Sequence, residues 1–243
     1  MLTALRDLAW LKEQIAYLDY PKGIIYGCKL RVENQHISIG PGQIKCRDYV
    51  FLLGEEERIE YVSTQNYVSL KFKVREREEF SGYIRYKTCF FLDASLELLD
   101  DEVELCRFKL KDGARLRTEY KDFYDIQTEY DTLNLAHATW SAADGNSLSK
   151  EVTDFFARKV LACEEAGEGD PQFAYLLLQS REAVRTELLK DYLMGKTGQK
   201  QKEDFVPEDA FYKLEQVLKD IRGGGNAKRD RGTRKRERLI VWD

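Results

Sequence analysis

Imidazole chemistry in this chain is confined to two positions, His36 and His137. His36 follows Glu33-Asn34-Gln35, a run suited to a hairpin turn, where an imidazole is solvated and has no partner to tune it. His137 stands near Ser141 and Asp144, so the residue types of a base, a nucleophile and an orienting carboxylate share one short segment. A nucleophilic serine of that kind needs a sharp glycine-flanked turn to present its oxygen, and no serine here has one. Asp112 followed by Glu119-Tyr120-Lys121 repeats the Asp…Glu-x-Lys order with which metal-dependent nucleases hold a divalent ion and activate water. Its surroundings, with Arg115 and Arg117, form a polar run without an apolar strand to fix the carboxylates. Thiolate metal sites converge four ligands at about 2.3 Å and show as closely paired cysteines. Cys28, Cys46, Cys89, Cys106 and Cys163 are instead scattered through apolar or alternating stretches, the pattern of packed, reduced thiols. Glu55-Glu56-Glu57 and Asp100-Asp101-Glu102 flank expected strands and suit solvated loops better than a glycosidase pair. Gly40-Pro41-Gly42 lacks the order and the helix start of a phosphate cradle and suits a rigid hairpin corner. No residue is therefore expected to be catalytic, cofactor-binding or metal-ligating, and a metal-dependent hydrolase built on Asp112, Glu119 and Lys121 ranks third among the functional readings.

A different chemistry, recognition by charge, is concentrated at the C-terminus. The chain has 39 Lys+Arg against 43 Asp+Glu, a formal net charge of −4 that gives no overall pull toward a polyanion. Between Gly223 and Asp243, seven cations (Lys228, Arg229, Arg231, Arg234, Lys235, Arg236 and Arg238) face three anions (Asp230, Glu237 and Asp243), a local net of +4 that leaves −8 on residues 1–222. Basic, glycine-containing arms track phosphates or an acidic protein groove. This one ends on Leu239, Ile240, Val241 and Trp242, an apolar peptide of high strand propensity suited to a sheet edge or to a Trp pocket on a partner. Arg229, Arg231, Arg234, Lys235, Arg236, Arg238 and the four apolar residues are the expected partner-binding set.

The elements that must carry these groups are of two kinds. Leu5, Leu8, Leu11, Ile15 and Leu18 recur at the spacing of one helix face, and Pro21 and Gly23 end the run. Beyond it the period changes to that of strands. Cys28, Leu30 and Val32 alternate with charged residues, Ile37 and Ile39 lead into Gly40-Pro41-Gly42, and Ile44 and Cys46 resume the alternation. The clearest strand is Tyr67 to Arg75, where Val68, Leu70, Phe72 and Val74 are expected to be buried and Ser69, Lys71 and Lys73 wet. Further strands are expected at 58–62, 83–92 and 102–110, the last with a bulge where the apolar set changes from Val103 and Leu105 to Cys106, Phe108 and Leu110. Helical spacing returns from Ser147 through Val152, Phe155, Phe156, Val160 and Cys163. A second helix is expected from the Asp170-Pro171 start to Gly195, and a third from Pro207 with the seam Phe211, Leu214, Val217, Leu218 and Ile221. Tyr120, Phe123, Tyr124 and Tyr130 lie in an ambiguous stretch, where covering a sheet fits better than stacking bases because acids crowd between them.

With 243 residues, 43% hydrophobic and 34% charged, and only 4 Pro, the chain has the apolar content of a folded protein, which excludes disordered and collagen-like classes. No apolar run approaches the roughly 18 residues of a membrane span, and Arg6 and Asp7 interrupt the start where a secretion signal would be apolar, so a cytoplasmic protein is expected. Strands segregated from helices give an α+β fold, a mostly antiparallel β-domain followed by a helical region. The expected segments are an N-terminal helix (1–19), a β-rich domain (20–118), a connecting segment (119–146), a helical region (147–222) and a flexible basic tail (223–243).

The stretch Tyr20-Pro-Lys-Gly-Ile-Ile-Tyr-Gly-Cys-Lys-Leu-Arg-Val, followed by Ile37-Ser-Ile-Gly-Pro-Gly-Gln-Ile, resembles the N-terminal β-domains of phage tail and baseplate proteins. The later Leu105-Cys-Arg-Phe-Lys-Leu run and the helical section after Ser147 are similar to the shoulder and helical bundle of type VI secretion and phage baseplate adaptors. That resemblance implies a non-catalytic structural or adaptor subunit, a homo- or hetero-oligomer that binds neighbouring subunits, and transfers no catalytic residue. The alternative is a nucleic-acid-associated protein acting through the basic tail.

Overall fold

The computed structural model describes residues 2–81, 83–127, 130–198 and 205–223. The fold is α+β. A first helix, α1 (Leu2–Ala16), precedes nine strands: β1 (Gly23–Gly27), β2 (Leu30–Glu33), β3 (His36–Ile39), β4 (Gly42–Cys46), β5 (Tyr49–Leu53), β6 (Glu57–Glu60), β7 (Val68–Phe80), β8 (Tyr83–Asp93) and β9 (Glu102–Phe108). After a 3-10 turn (Tyr124–Gln127) come β10 (Trp140–Ala142), β11 (Gly145–Ser147) and the helices α2 (Lys150–Leu161), α3 (Gly169–Gln179), α4 (Thr186–Thr197) and α5 (Pro207–Arg222). Three sheets result, with orders β11-β10-β1-β4-β5, β2-β3-β6 and β8-β7-β9, and every pairing is antiparallel except β1 with β10. Among the described residues no helix is long and apolar enough to cross a membrane.

The first two sheets are joined by one bent hairpin. Its tip, Asn34-Gln35, has both residues in the left-handed region, the two-residue turn that matches strand twist. Halfway down, both arms turn a corner together and pass from one sheet to the other. Gly27 (φ +71) and Gly42 face each other there, with the Cys28 N–H donating to the Pro41 carbonyl and the Gly40 N–H to that of Lys29. A Cβ on Gly42 would lie 2.5 Å from the Tyr26 carbonyl oxygen, so glycine is required for the backbones to cross. The expected corner role of Gly40-Pro41-Gly42 is what the structure shows.

In the third sheet, Leu70, Phe72 and Val74 are buried as the alternation requires, and Val68 is half-buried. The expectation for the opposite face is corrected. Ser69 and Lys71 are fully buried and only Lys73 is half-exposed, because the 94–101 loop folds back over that face. Lys71 Nζ donates to Asp93 Oδ2 (2.7 Å), the Glu97 carbonyl (2.6 Å) and Glu102 Oε2 (3.2 Å), which uses all three of its protons. The expected bulge falls at Leu105, since Leu70 pairs with Cys106 and Lys71 with Glu104. The outer edge of β9 is closed by the following segment, where Arg107 and Asn134 exchange two backbone hydrogen bonds and the Thr139 N–H donates to Glu104. The strand expected at 58–62 occupies Glu57–Glu60.

The connecting segment thus covers a strand edge and then returns to the first sheet, where Trp140 registers beside Ile24. Phe123 is buried and stacks on Phe211 of α5 (4.6 Å), Tyr120 packs against the core and donates to the Leu133 carbonyl, whereas Tyr124 is exposed. The single helix expected from 170 to 195 is two. Chain 180–185 is pulled out of helical geometry because Ala183 and Val184 are buried, Ser147 Oγ donates to the Val184 carbonyl, and Asp144 accepts from the Thr186 and Glu187 N–H groups. Asp144 therefore caps α4, whose own N-cap residue, Arg185, offers no side-chain acceptor. The seam of α5 is buried as expected, and buried apolar residues of strands and helices form one continuous cluster.

Candidate interaction surface

Helix α1 meets the rest of the molecule with its polar and aromatic side. β5 is an edge strand, and the Gln14 amide completes it: Nε2 donates to the Val50 carbonyl (3.1 Å) and Oε1 accepts from the Val50 N–H (2.8 Å). The adjacent Glu13 accepts from Gln43 Nε2 (3.0 Å), and one turn from Gln14 the Trp10 ring lies 6.3 Å from Tyr49. At the helix C-terminus the buried Lys45 donates to the Tyr17 (2.5 Å) and Leu18 (2.6 Å) carbonyls, where a cation complements the helix dipole. Burial lowers the Lys45 pKa, opposed by Asp19 and Asp48. Tyr17 and Tyr20 both donate to Glu182, and burial together with that carboxylate pushes both phenols up.

The opposite side of α1 is apolar and bare. Leu8, Leu11 and Ile15, and Leu18 in the turn that continues the helix past Ala16, fall within about 80° of one another at 3.6 residues per turn, and their exposures are 63, 47, 63 and 69%. A helix that hides its amides in the body and turns a leucine stripe to water has its normal orientation reversed. Beside it, Tyr49 leads to Tyr86 (5.0 Å) at the root of a ribbon formed where β7 and β8 continue past the last β9 pairing at Lys73. The ribbon is held by cross-strand charges, Lys87 with Glu76 (3.1 Å) and Glu78 (2.6 Å), and exposes Phe80 and Ile84 near its tip. Exposed apolar groups of this size and contiguity mark contact surfaces.

Comparison with protein-family models, with curated proteins and with solved structures gives no match.

Of the residues nominated for chemistry, Ser141, Asp144, His137, His36 and Asp112 have their side chains in structural bonds, whereas Glu119 and Lys121 are bonded through their backbone. Ser141 Oγ donates to the Pro21 carbonyl (2.7 Å), Asp144 caps α4, and His137 faces Glu208 (3.4 Å), so no triad forms. Burial and Arg107 lower the His137 pKa, opposed by Glu208 and Glu104. His36 Nδ1 is bonded to the Asn34 carbonyl in its turn. Asp112 accepts from Ser63 Oγ, the Glu119 carbonyl accepts from Arg117, and the Lys121 N–H donates to Asp125. Among the described residues no group of His, Cys, Asp and Glu is placed to hold a metal ion. The nominated partner-binding residues, Arg229 to Trp242, lie outside the described residues.

One cleft, about 380 Å³, lies between the bent hairpin and the start of α2, lined by Cys28, Leu105, Tyr120, Trp140 and Glu151 among others. Burial pushes the Cys28 thiol up to about 12, so it is a packed neutral group and no nucleophile at physiological pH. Burial also raises the Glu151 carboxyl. What sequence reasoning missed is the direction of α1. The only available signal is its narrow 8, 11, 15, 18 spacing, and the seam of α5 has the same character yet is buried.

Proposed function

We propose that the chain is a non-catalytic structural subunit of a multi-protein assembly of the phage-tail or contractile-injection baseplate kind, holding its neighbours by protein contact. The observation that carries this reading is α1, anchored by Gln14, Glu13 and the Lys45-bound C-terminus while Leu8, Leu11, Ile15 and Leu18 face water. Such a stripe lowers free energy only when something covers it. Further support comes from Ser141, His36, His137 and Asp144, whose side chains are committed to the Pro21 carbonyl, a turn, Glu208 of α5 and a helix cap. The baseplate assignment itself rests on the resemblance of the 20–32, 37–44 and 105–110 segments, which form the bent hairpin and the bulged strand.

The test is association of the full-length chain with the products of adjacent genes, compared with a Leu11→Asp/Ile15→Asp variant. Complex formation that is lost in the variant is the expected result. Complexes indifferent to both substitutions, or a turnover reaction by the purified chain that Glu151→Gln abolishes, would overturn the reading.

A further inference from the structure

We infer that the α1 stripe is covered by a second copy of this chain, through a parallel two-helix coiled coil of α1 with α1. The inference rests on reading that stripe as a docking surface and names its occupant. Leu8, Leu11, Ile15 and Leu18 are spaced 3, 4 and 3 apart, so they take heptad positions a, d, a and d with nothing polar among them. Ile15 at a with Leu11 and Leu18 at d is the combination that favours two parallel strands.

Charge selects the same arrangement. With Leu8 at a, the exposed Asp7 falls at g and the exposed Lys12 at e. A parallel pair sets each g residue beside the e residue five positions on in its partner, so Asp7 meets Lys12 of the second copy, and two-fold symmetry makes the contact twice. An antiparallel pair sets e against e and g against g and brings these two together in neither register. The attachment of α1 to its own body leaves room for the pairing. Trp10, Glu13 and Tyr17, which contact β5, β4 and Glu182, occupy positions c, f and c, and Gln14, bonded to Val50 of β5, occupies g, on the flank opposite Lys12. Each body therefore stands behind its own helix and toward its g flank at Gln14, which leaves a, d and e open to a two-fold partner along the stripe. The helix is already held in shape by Gln14 and Lys45, so association does not have to nucleate it.

Sedimentation velocity on the full-length chain, from low micromolar to several hundred micromolar, should show the mass rising from monomer to dimer. Ile15→Asp should weaken the dimer about tenfold or more, a shift of about 1.4 kcal/mol or more, with an unchanged thermal midpoint of the monomer because the side chain is exposed. Asp7→Lys should weaken it and Asp7→Lys/Lys12→Asp restore it. Leu11→Cys should give an oxidised dimer through residue 11 of both copies, absent from wild type. A dimer indifferent to Ile15→Asp, or one that Leu11→Cys cannot cross-link, would overturn the parallel pairing. A wild type that stays monomeric throughout would overturn the second copy. In that case, capture of a neighbouring gene product that is lost with Ile15→Asp would leave the docking reading standing, and capture indifferent to it would remove both.

Discussion

Replacing Lys71 by Met removes a buried charge while keeping most of the side-chain volume. Lys71 is fully buried, and its ammonium makes three hydrogen bonds, to Asp93, Glu97 and Glu102. Two of the groups left behind differ in what they can recover. The Asp93 side chain is 30% exposed and takes water, whereas that of Glu102 is 4% exposed and keeps only Lys73 (2.9 Å) and the Leu99 N–H (3.3 Å). Breaking a buried pair from one side costs about 3 to 5 kcal/mol, and with Lys73 still in place the lower end, about 3 kcal/mol, is expected. In a chain of this size that is a fall in thermal midpoint of about 6 to 12 °C. Urea unfolding of Lys71→Met, Glu102→Gln and the double variant measures it, and the cycle should show a coupling of about 1 kcal/mol or more because the two groups are in contact. A loss below about 1 kcal/mol for Lys71→Met, or strict additivity, would refute the claim that the 94–101 loop is held down by this ammonium.

Phe72, fully buried and flanked by Phe51 (5.7 Å) and Phe90 (5.5 Å), should cost about 3 to 5 kcal/mol on replacement by Ala, and a loss under 1 kcal/mol in denaturant unfolding would contradict the β7 register. Asp144→Ala should cost about 1 to 2 kcal/mol by uncapping α4, with increased amide exchange at Thr186 and Glu187, while Asp144→Asn retains most of the stability. Hydrogen bonds from Lys71 and the Ser95 N–H hold Asp93 below its ordinary pKa of 3.8, and those from Arg117 do the same for Asp125 against its burial. At Glu102 burial is outweighed by Lys73, the Leu99 N–H and Lys71, which hold it below 4.5. These three carboxylates contribute stability that is complete above those ordinary values and disappears as pH falls through the lower folded ones, so unfolding free energy should drop below about pH 4. Glu151, raised by burial, has the opposite sign, and Glu151→Gln should stabilise the protein at neutral pH and lose that advantage in acid.

The sequence showed the elements more clearly than their environments. Period-2 alternation located β7, and the changed phase in Glu102 to Leu110 located the bulge, because both follow from backbone geometry along one chain. The burial of Lys71 escapes the same reasoning: alternation says which face a residue is on, and cannot say that a loop eight residues long will fold over it. The break between α3 and α4 was invisible because it is imposed by Ser147 and Asp144 from another part of the chain, against local helix propensity. His137, Ser141 and Asp144 are near in sequence and engaged with different partners, since Trp140 to Ser147 is a tight hairpin whose side chains meet different neighbours. The apolar face of α1 was legible as a stripe and not as an exposed surface, because exposure is a property of what packs nearby.

The parallel pairing of β1 with β10 has a consequence during synthesis. Pro21, Lys22 and Ile24 are held by Ser141, Asn146 and the Thr139–Trp140 backbone, and Tyr20 by Glu182. At about 5 to 20 residues per second, the ribosome needs on the order of 10 s to travel from residue 24 to residue 140. Throughout that interval β1 has β4 on one side and an open edge on the other, the condition in which nascent strands pair with the wrong chain. The long separation also raises contact order and slows the closing step. β1 is made well before it is clasped, so a growing chain is in need of shielding at that strand, on the emerging polypeptide and not on the finished protein.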